Sequence, residues 1–163
     1  MIMERFFLGI FMVAWMCTVS GCLYNEPPLY LKNNFNQDLR FAKPVRDYPD
    51  TILPPILRGV TIKTSSTVFI VDGKNWKYIY NVRFSSGIMS VFILSCDTLA
   101  KYTWEQVRED YNILVRYDLR LQDLYKLDFV IVYPPNETMK DIKMYPPYSH
   151  FQTIMSPEFR TAS

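Results

Sequence analysis

The chain has 163 residues, a formal net charge of +2, 16% aromatic residues, 11 prolines and 5 glycines. Its Lys and Arg are scattered among Asp and Glu without forming a basic stripe, so no nucleic acid is expected as a partner. With 1 histidine and 3 cysteines, zinc chemistry lacks ligands, and so glycine-poor a chain holds no phosphate-cradling loop; no metal, cofactor or catalytic residue is expected.

The chain opens with Arg5 offset by Glu4, followed by an apolar run from Phe6 to Met16. A membrane-spanning helix needs roughly 20 apolar residues, whereas the core of an export signal needs about 7–15. Val19-Ser20-Gly21-Cys22 follows and resembles the bacterial lipobox. That resemblance implies cleavage after Gly21, a diacylglyceryl group on the Cys22 thiol and further acylation of the new amino terminus. Two or three chains hold a protein on a membrane stably, since each buried methylene contributes about 0.8 kcal/mol. The competing readings are an uncleaved amphipathic or membrane-anchoring segment, or a buried amino-terminal helix. Leu23 is not the acidic residue that retains lipoproteins of enteric bacteria in the inner membrane, so an outer-membrane address is open. With Cys17 in the leader and Cys22 acylated, Cys96 stands alone in an apolar run and is expected to be a buried, inert thiol.

Residues 22–28 read as a tether, and 29–135 as a single α+β domain. About five strands form an antiparallel or mixed sheet, with two or three short helices on one side. Two apolar arms between Leu29 and Ala42 flank the turn formers Asn33 to Asp38, which suggests a hairpin. Lys43 to Gly59 is too rich in proline for helix and reads as a loop or edge strand. Val60–Lys63 and Thr67–Val71 are β-branched strands, with a turn at Asp72-Gly73-Lys74. In Asn75–Phe84, Trp76, Ile79 and Tyr80 have helical spacing, although Tyr78–Val82 also fits a strand; a short helix is favoured. Ile88–Ser95 reads as a central strand covered on both faces.

Thr103 and Gln106 have capping-box spacing, which predicts a helix from Trp104 to about Tyr111 with Trp104, Val107 and Tyr111 on one face. Asn112–Tyr117 is a strand or connector. Asp118–Leu127 reads as a short helix with Leu121, Leu124 and Leu127 as its stripe, and Asp118 and Asp123 as acids near its start. Phe129–Tyr133 is a strand ended by Pro134-Pro135. From Asn136 to Ser163 an extended, proline-rich strap and a disordered tail are expected.

The stretch from Phe92 through Asp97-Thr98-Leu99, Tyr102 and Trp104-Glu105 continues to Arg116-Tyr117-Asp118-Leu119, Asp123-Leu124, Leu127 and Tyr133-Pro134-Pro135. It resembles small lipoproteins abundant in Bacteroides and related gut bacteria. The likeness extends over residues 30 to 148, implies a small exported domain and supplies no activity and no site residues. Those bacteria O-glycosylate exported proteins at Asp, then Thr or Ser, then an aliphatic residue; the resemblance therefore makes Thr51 and Thr98 candidates. Asp97-Thr98 also reads as a turn.

His150, the sole histidine, lies in the expected tail and is poorly placed for a nucleophilic device. Glu105, Glu109 and Asp110 offer an acid pair of the glycosidase kind, although such a run is more simply a solvated helix face. Most aromatics read as core. Tyr145 and Tyr148, in the proline-rich strap, are least explained by packing and are the candidate contacts for a partner. The favoured function is a membrane-anchored envelope lipoprotein that binds or stabilises another envelope component without catalysis. A surface glycan-binding module and a small acid-pair hydrolase are the alternatives.

Overall fold

The computed structural model describes residues 26–45, 60–84 and 86–155. The first half holds β1 (Leu29–Asn33), β2 (Leu39–Val45), β3 (Thr61–Ile62), β4 (Thr67–Val71), α1 (Trp76–Arg83) and β5 (Ile88–Ser95). The second half holds α2 (Cys96–Lys101), α3 (Trp104–Glu109), β6 (Val115–Arg120), α4 (Leu121–Lys126), β7 (Val130–Tyr133), β8 (Lys143–Tyr145) and α5 (Tyr148–Met155). The class is α+β, with an antiparallel five-stranded sheet in the order β3-β2-β5-β6-β8. A second, three-stranded sheet, β4-β1-β7, was not foreseen; β1 runs antiparallel to β4 and parallel to β7.

β5 reads as nearly continuous apolar sequence because both of its faces are covered, as expected of a central strand. Its inner face, Met89, Val91 and Ile93, joins Leu39, Phe41, Val115, Tyr117 and Leu119 in the main core. Leu29, Leu31 and Ile131 from the small sheet, Trp76 and Tyr80 from α1 and Leu124 from α4 close over it. On the outer face, Phe92 and Leu94 meet Ala42 and Val107, with Trp104 and Tyr111 packed beside them. Helices therefore lie on both faces of the five-stranded sheet, more numerous than the two or three expected on one side.

Local signals account for the helices. Asn75 caps α1 through a bond from the Tyr78 N–H. Both halves of the Thr103–Gln106 box form on α3. In α4 the Asp123 carboxylate accepts from the Arg120 N–H at 2.8 Å, and Leu124 and Leu127 are buried beneath it. α2 was not expected; Ser95 caps it by accepting from the Asp97 N–H, which places Asp97-Thr98 in helix rather than in a turn.

Three expectations are corrected. β1 and β2 do not form a hairpin: they belong to different sheets, and the chain between them crosses from one to the other. Asn33, fully buried at that crossing, donates from Nδ2 to the carbonyls of Gln37, Ile62 and Lys63 and accepts from the Phe35 N–H. A turn-forming sequence is thus used to stitch three segments together. Asp118 is not a helix-start residue; it lies inside β6, buried, one pleat from Arg116. The stretch after Pro135 is no extended strap either. Met139 and Ile142 enter the core, β8 adds to β6, and α5 buries Phe151 against Tyr133. Residues 156–163, the expected tail, lie outside the described residues.

Lys43–Val45 continue β2 across a register shift, in keeping with extended backbone at Pro44. The amino-terminal side is tied down earlier than a tether over residues 22–28 implies. The Glu26 carboxylate accepts from the Trp76 N–H and the Tyr125 hydroxyl, and the Pro27 carbonyl accepts from Trp76 Nε1 at 2.8 Å. Gly73 makes this seat possible, because a Cβ there would sit 2.0 Å from the Pro27 oxygen.

Candidate functional site

The polar residues of β6, in the run Val-Arg-Tyr-Asp-Leu-Arg, alternate with apolar ones, so the pleat sends Tyr117 and Leu119 inward and Arg116 and Asp118 outward. Antiparallel register then sets Ser90 of β5 and Lys143 of β8 on either side of Asp118, and Phe92 and Tyr145 on either side of Arg116. Arg116 grips Asp118 with two bonds, Nε to Oδ1 at 3.0 Å and Nη2 to Oδ2 at 3.1 Å. Ser90 Oγ donates to Asp118 Oδ1 at 2.8 Å, and Arg116 Nη1 donates to the Tyr111 hydroxyl at 2.6 Å. The Tyr145 ring lies 6.0 Å from the guanidinium carbon and meets the Tyr111 ring edge-on at 5.6 Å.

Burial shapes the electrostatics of this cluster. It works against the Arg116 charge, but the Asp118 carboxylate outweighs it and holds the guanidinium above its ordinary pKa. Burial also raises the Tyr111 phenol, although the neighbouring guanidinium pulls the other way. Removing one member of so buried a pair costs about 3–5 kcal/mol, because the other is left charged and dry. The positive φ of Tyr111, 54°, ends α3 and turns its ring over Phe92 toward the pair. A guanidinium has five N–H groups, and the bonds to Asp118 and Tyr111 use three of them. Arg116 is 9% exposed and its charge is met by Asp118, so what this centre offers a partner is the flat face of a tyrosine ring that is 51% exposed, with the guanidinium beside it.

Of the residues singled out in the sequence, Tyr145 belongs to this cluster. Tyr148 does not: it is half-buried at the start of α5, and its hydroxyl donates to Glu137 at 3.1 Å. Thr98 is half-buried within α2, its carbonyl accepting from the Tyr102 N–H and its neighbour Leu99 packed on the outer core. Cys22, Gly21 and Thr51 lie outside the described residues. Cys96 is half-buried at the start of α2 rather than fully enclosed; burial and then Asp38 push its thiol pKa up, away from the thiolate a nucleophile needs. Glu105, Glu109 and Asp110 are exposed on and just after α3. His150 is exposed on α5 with its ring edge-on to Phe151. Among the described residues no three His, Cys, Asp or Glu are grouped to hold a metal, and no helix is long and apolar enough to cross a membrane.

Arg116, Ser90 and the true role of Asp118 escaped the sequence reading. The signal was present as two polar residues at a spacing of two inside an apolar strand. Comparison of the chain with protein-family models, curated proteins and solved structures finds no match.

Proposed function

We propose that the protein is a lipid-anchored envelope protein, cleaved before Cys22, whose domain acts by binding another envelope component rather than by catalysis. The address rests on the apolar run Phe6–Met16 followed by Val19-Ser20-Gly21-Cys22. Binding rests on one observation: the half-exposed Tyr145 ring beside the buried Arg116–Asp118 pair on the sheet's outer face. Aromatic rings next to arginine are the usual anchors of a recognition surface. The same pairing favours a second reading, a glycan-binding module, because a sugar ring stacks on tyrosine while its hydroxyls take N–H donors. Glycan binding of this kind gives micromolar to millimolar affinity.

Intact mass of the protein extracted from its own membranes, paired with protease accessibility on whole cells, tests the address. An amino terminus at Cys22 carrying acyl chains is the expected result, and an unmodified mass beginning at Met1 would sink it. Crosslinking in the same cells, with wild type and Tyr145→Ala compared, tests the binding face. A partner recovered equally well by both proteins would mean that another surface is used. Titration with envelope polysaccharide separates the glycan reading from a protein partner.

A further inference from the structure

The seat of the amino-terminal segment fixes which part of the domain lies nearest the proposed anchor. Glu26 and Pro27 are bonded to Trp76 at the start of α1, and Cys22 stands four residues before Glu26. Four residues span at most about 14 Å. α1 has 8 residues and is about 12 Å long at 1.5 Å per residue. The helix is therefore no longer than the reach of the linker.

Its outward face is unlike its inward one. Trp76 and Tyr80 are buried, whereas Lys77, Tyr78, Val82 and Arg83 are exposed, Tyr78 and Val82 to 62% and 61%. Lys74 stands just ahead of the helix, exposed, with Asp72 Oδ2 3.8 Å from its Nζ. An open groove of about 210 Å³, lined by Val71, Tyr78 and Ile79 and by Lys74 and Arg83, runs along this side. Exposed tyrosine and aliphatic side chains interleaved with cations are the composition that settles at a lipid–water boundary, aromatic rings at headgroup depth and cations on anionic lipid.

We infer that the exposed face of α1, with Lys74, Lys77, Tyr78, Val82 and Arg83, rests on anionic lipid headgroups of the membrane that holds Cys22. This docking depends on the lipoprotein reading. It leaves the outer face with Tyr145 on a different part of the domain, where a partner reaches it while α1 faces the bilayer.

The test uses the full-length protein acylated in the cell, reconstituted in phosphatidylcholine vesicles with or without phosphatidylglycerol. A benzophenone amino acid replaces Val82, or Glu105 on α3 as the control. After irradiation, mass spectrometry should find phospholipid adducts from position 82, strengthened by phosphatidylglycerol, and none from position 105. Lys74→Glu, Lys77→Glu and Arg83→Glu should each lower the adduct at least roughly fivefold, the loss of one cation's attraction to an anionic surface, with the added carboxylate repelling that surface further. Adducts equal at both positions, or unmoved by charge reversal and by lipid charge, overturn the docking while an acylated Cys22 in the same sample keeps the anchor. A sample whose mass shows no acyl chain overturns both.

Discussion

The two faces of the five-stranded sheet come from the same strands in strict alternation, yet they differ in kind. The inner face of β2, β5 and β6 is Leu39, Phe41, Met89, Val91, Ile93, Val115, Tyr117 and Leu119, all buried in the main core. The outer face begins in the same way beneath α3, with Phe92 and Leu94, and then gives way to Ser90, Arg116 and Asp118. Nothing in the inner face needs a specific partner atom except the Tyr117 hydroxyl, which donates to the Val132 carbonyl at 2.8 Å. On the outer face every polar atom of the Arg116–Asp118 pair is fixed by geometry. The inner face supplies stability that tolerates exchange of shape for shape; the outer face holds an ion pair that is costly to break by removing one partner, though not by replacing both.

Single truncations should break both faces equally. Phe41→Ala removes a fully packed ring and Asp118→Ala strands a guanidinium, each lowering stability by about 3–5 kcal/mol in urea unfolding. Equal stability of Asp118→Ala and wild type would mean that Arg116 escapes to solvent and that the pair is not a buried one.

Alkaline titration probes the buried tyrosines of the main core next. Burial raises Tyr117 and Tyr80 well above the ordinary phenol range and Tyr133 to about 12. A folded-state pKa above the unfolded one gives stability that is complete below about pH 10 and lost as pH rises through the folded value. The unfolding midpoint should thus be flat to about pH 9 and fall steadily above pH 10, with phenolate absorbance lagging behind that of the unfolded chain. Complete ionisation of all 12 tyrosines by about pH 10 with the fold intact would contradict the burial of Tyr80, Tyr117 and Tyr133.

Replacing the pair together, Arg116→Met with Asp118→Leu, sharpens the comparison. Stability should stay within about 1 kcal/mol of wild type or exceed it, while partner capture in the cell is lost. Least visible of all in stability, Tyr145→Ala should shift unfolding by no more than about 0.5 kcal/mol and yet reduce partner capture.

Which parts of this were legible in the sequence follows from how local each signal is. α1, α3 and the central strand were readable because a helical spacing, a capping box or an unbroken apolar run states its own structure within ten residues. The crossing at Asn33–Asp38 was not, since two apolar arms about a turn look alike whether they pair with each other or with strands far away. Asp118 before a leucine stripe mimics a helix start, and only its alternation with Arg116 within β6 reveals a strand. β8 is three residues long with a proline directly after it, too short to show a period. The Arg116–Asp118 cluster needed three strands in register before its members became neighbours, and register is nowhere written locally.

The middle position of β1 in the small sheet also sets a timetable. Leu31 lies opposite Val68 on one side and Ile131 on the other, the latter one hundred residues later in the chain. A polypeptide is made from its amino terminus, so β1 and β4 wait with a bare edge until β7 has left the ribosome. Such long-range parallel pairing closes late and folds slowly. The small sheet therefore stays open along one edge of β1 until the chain has been made through β7.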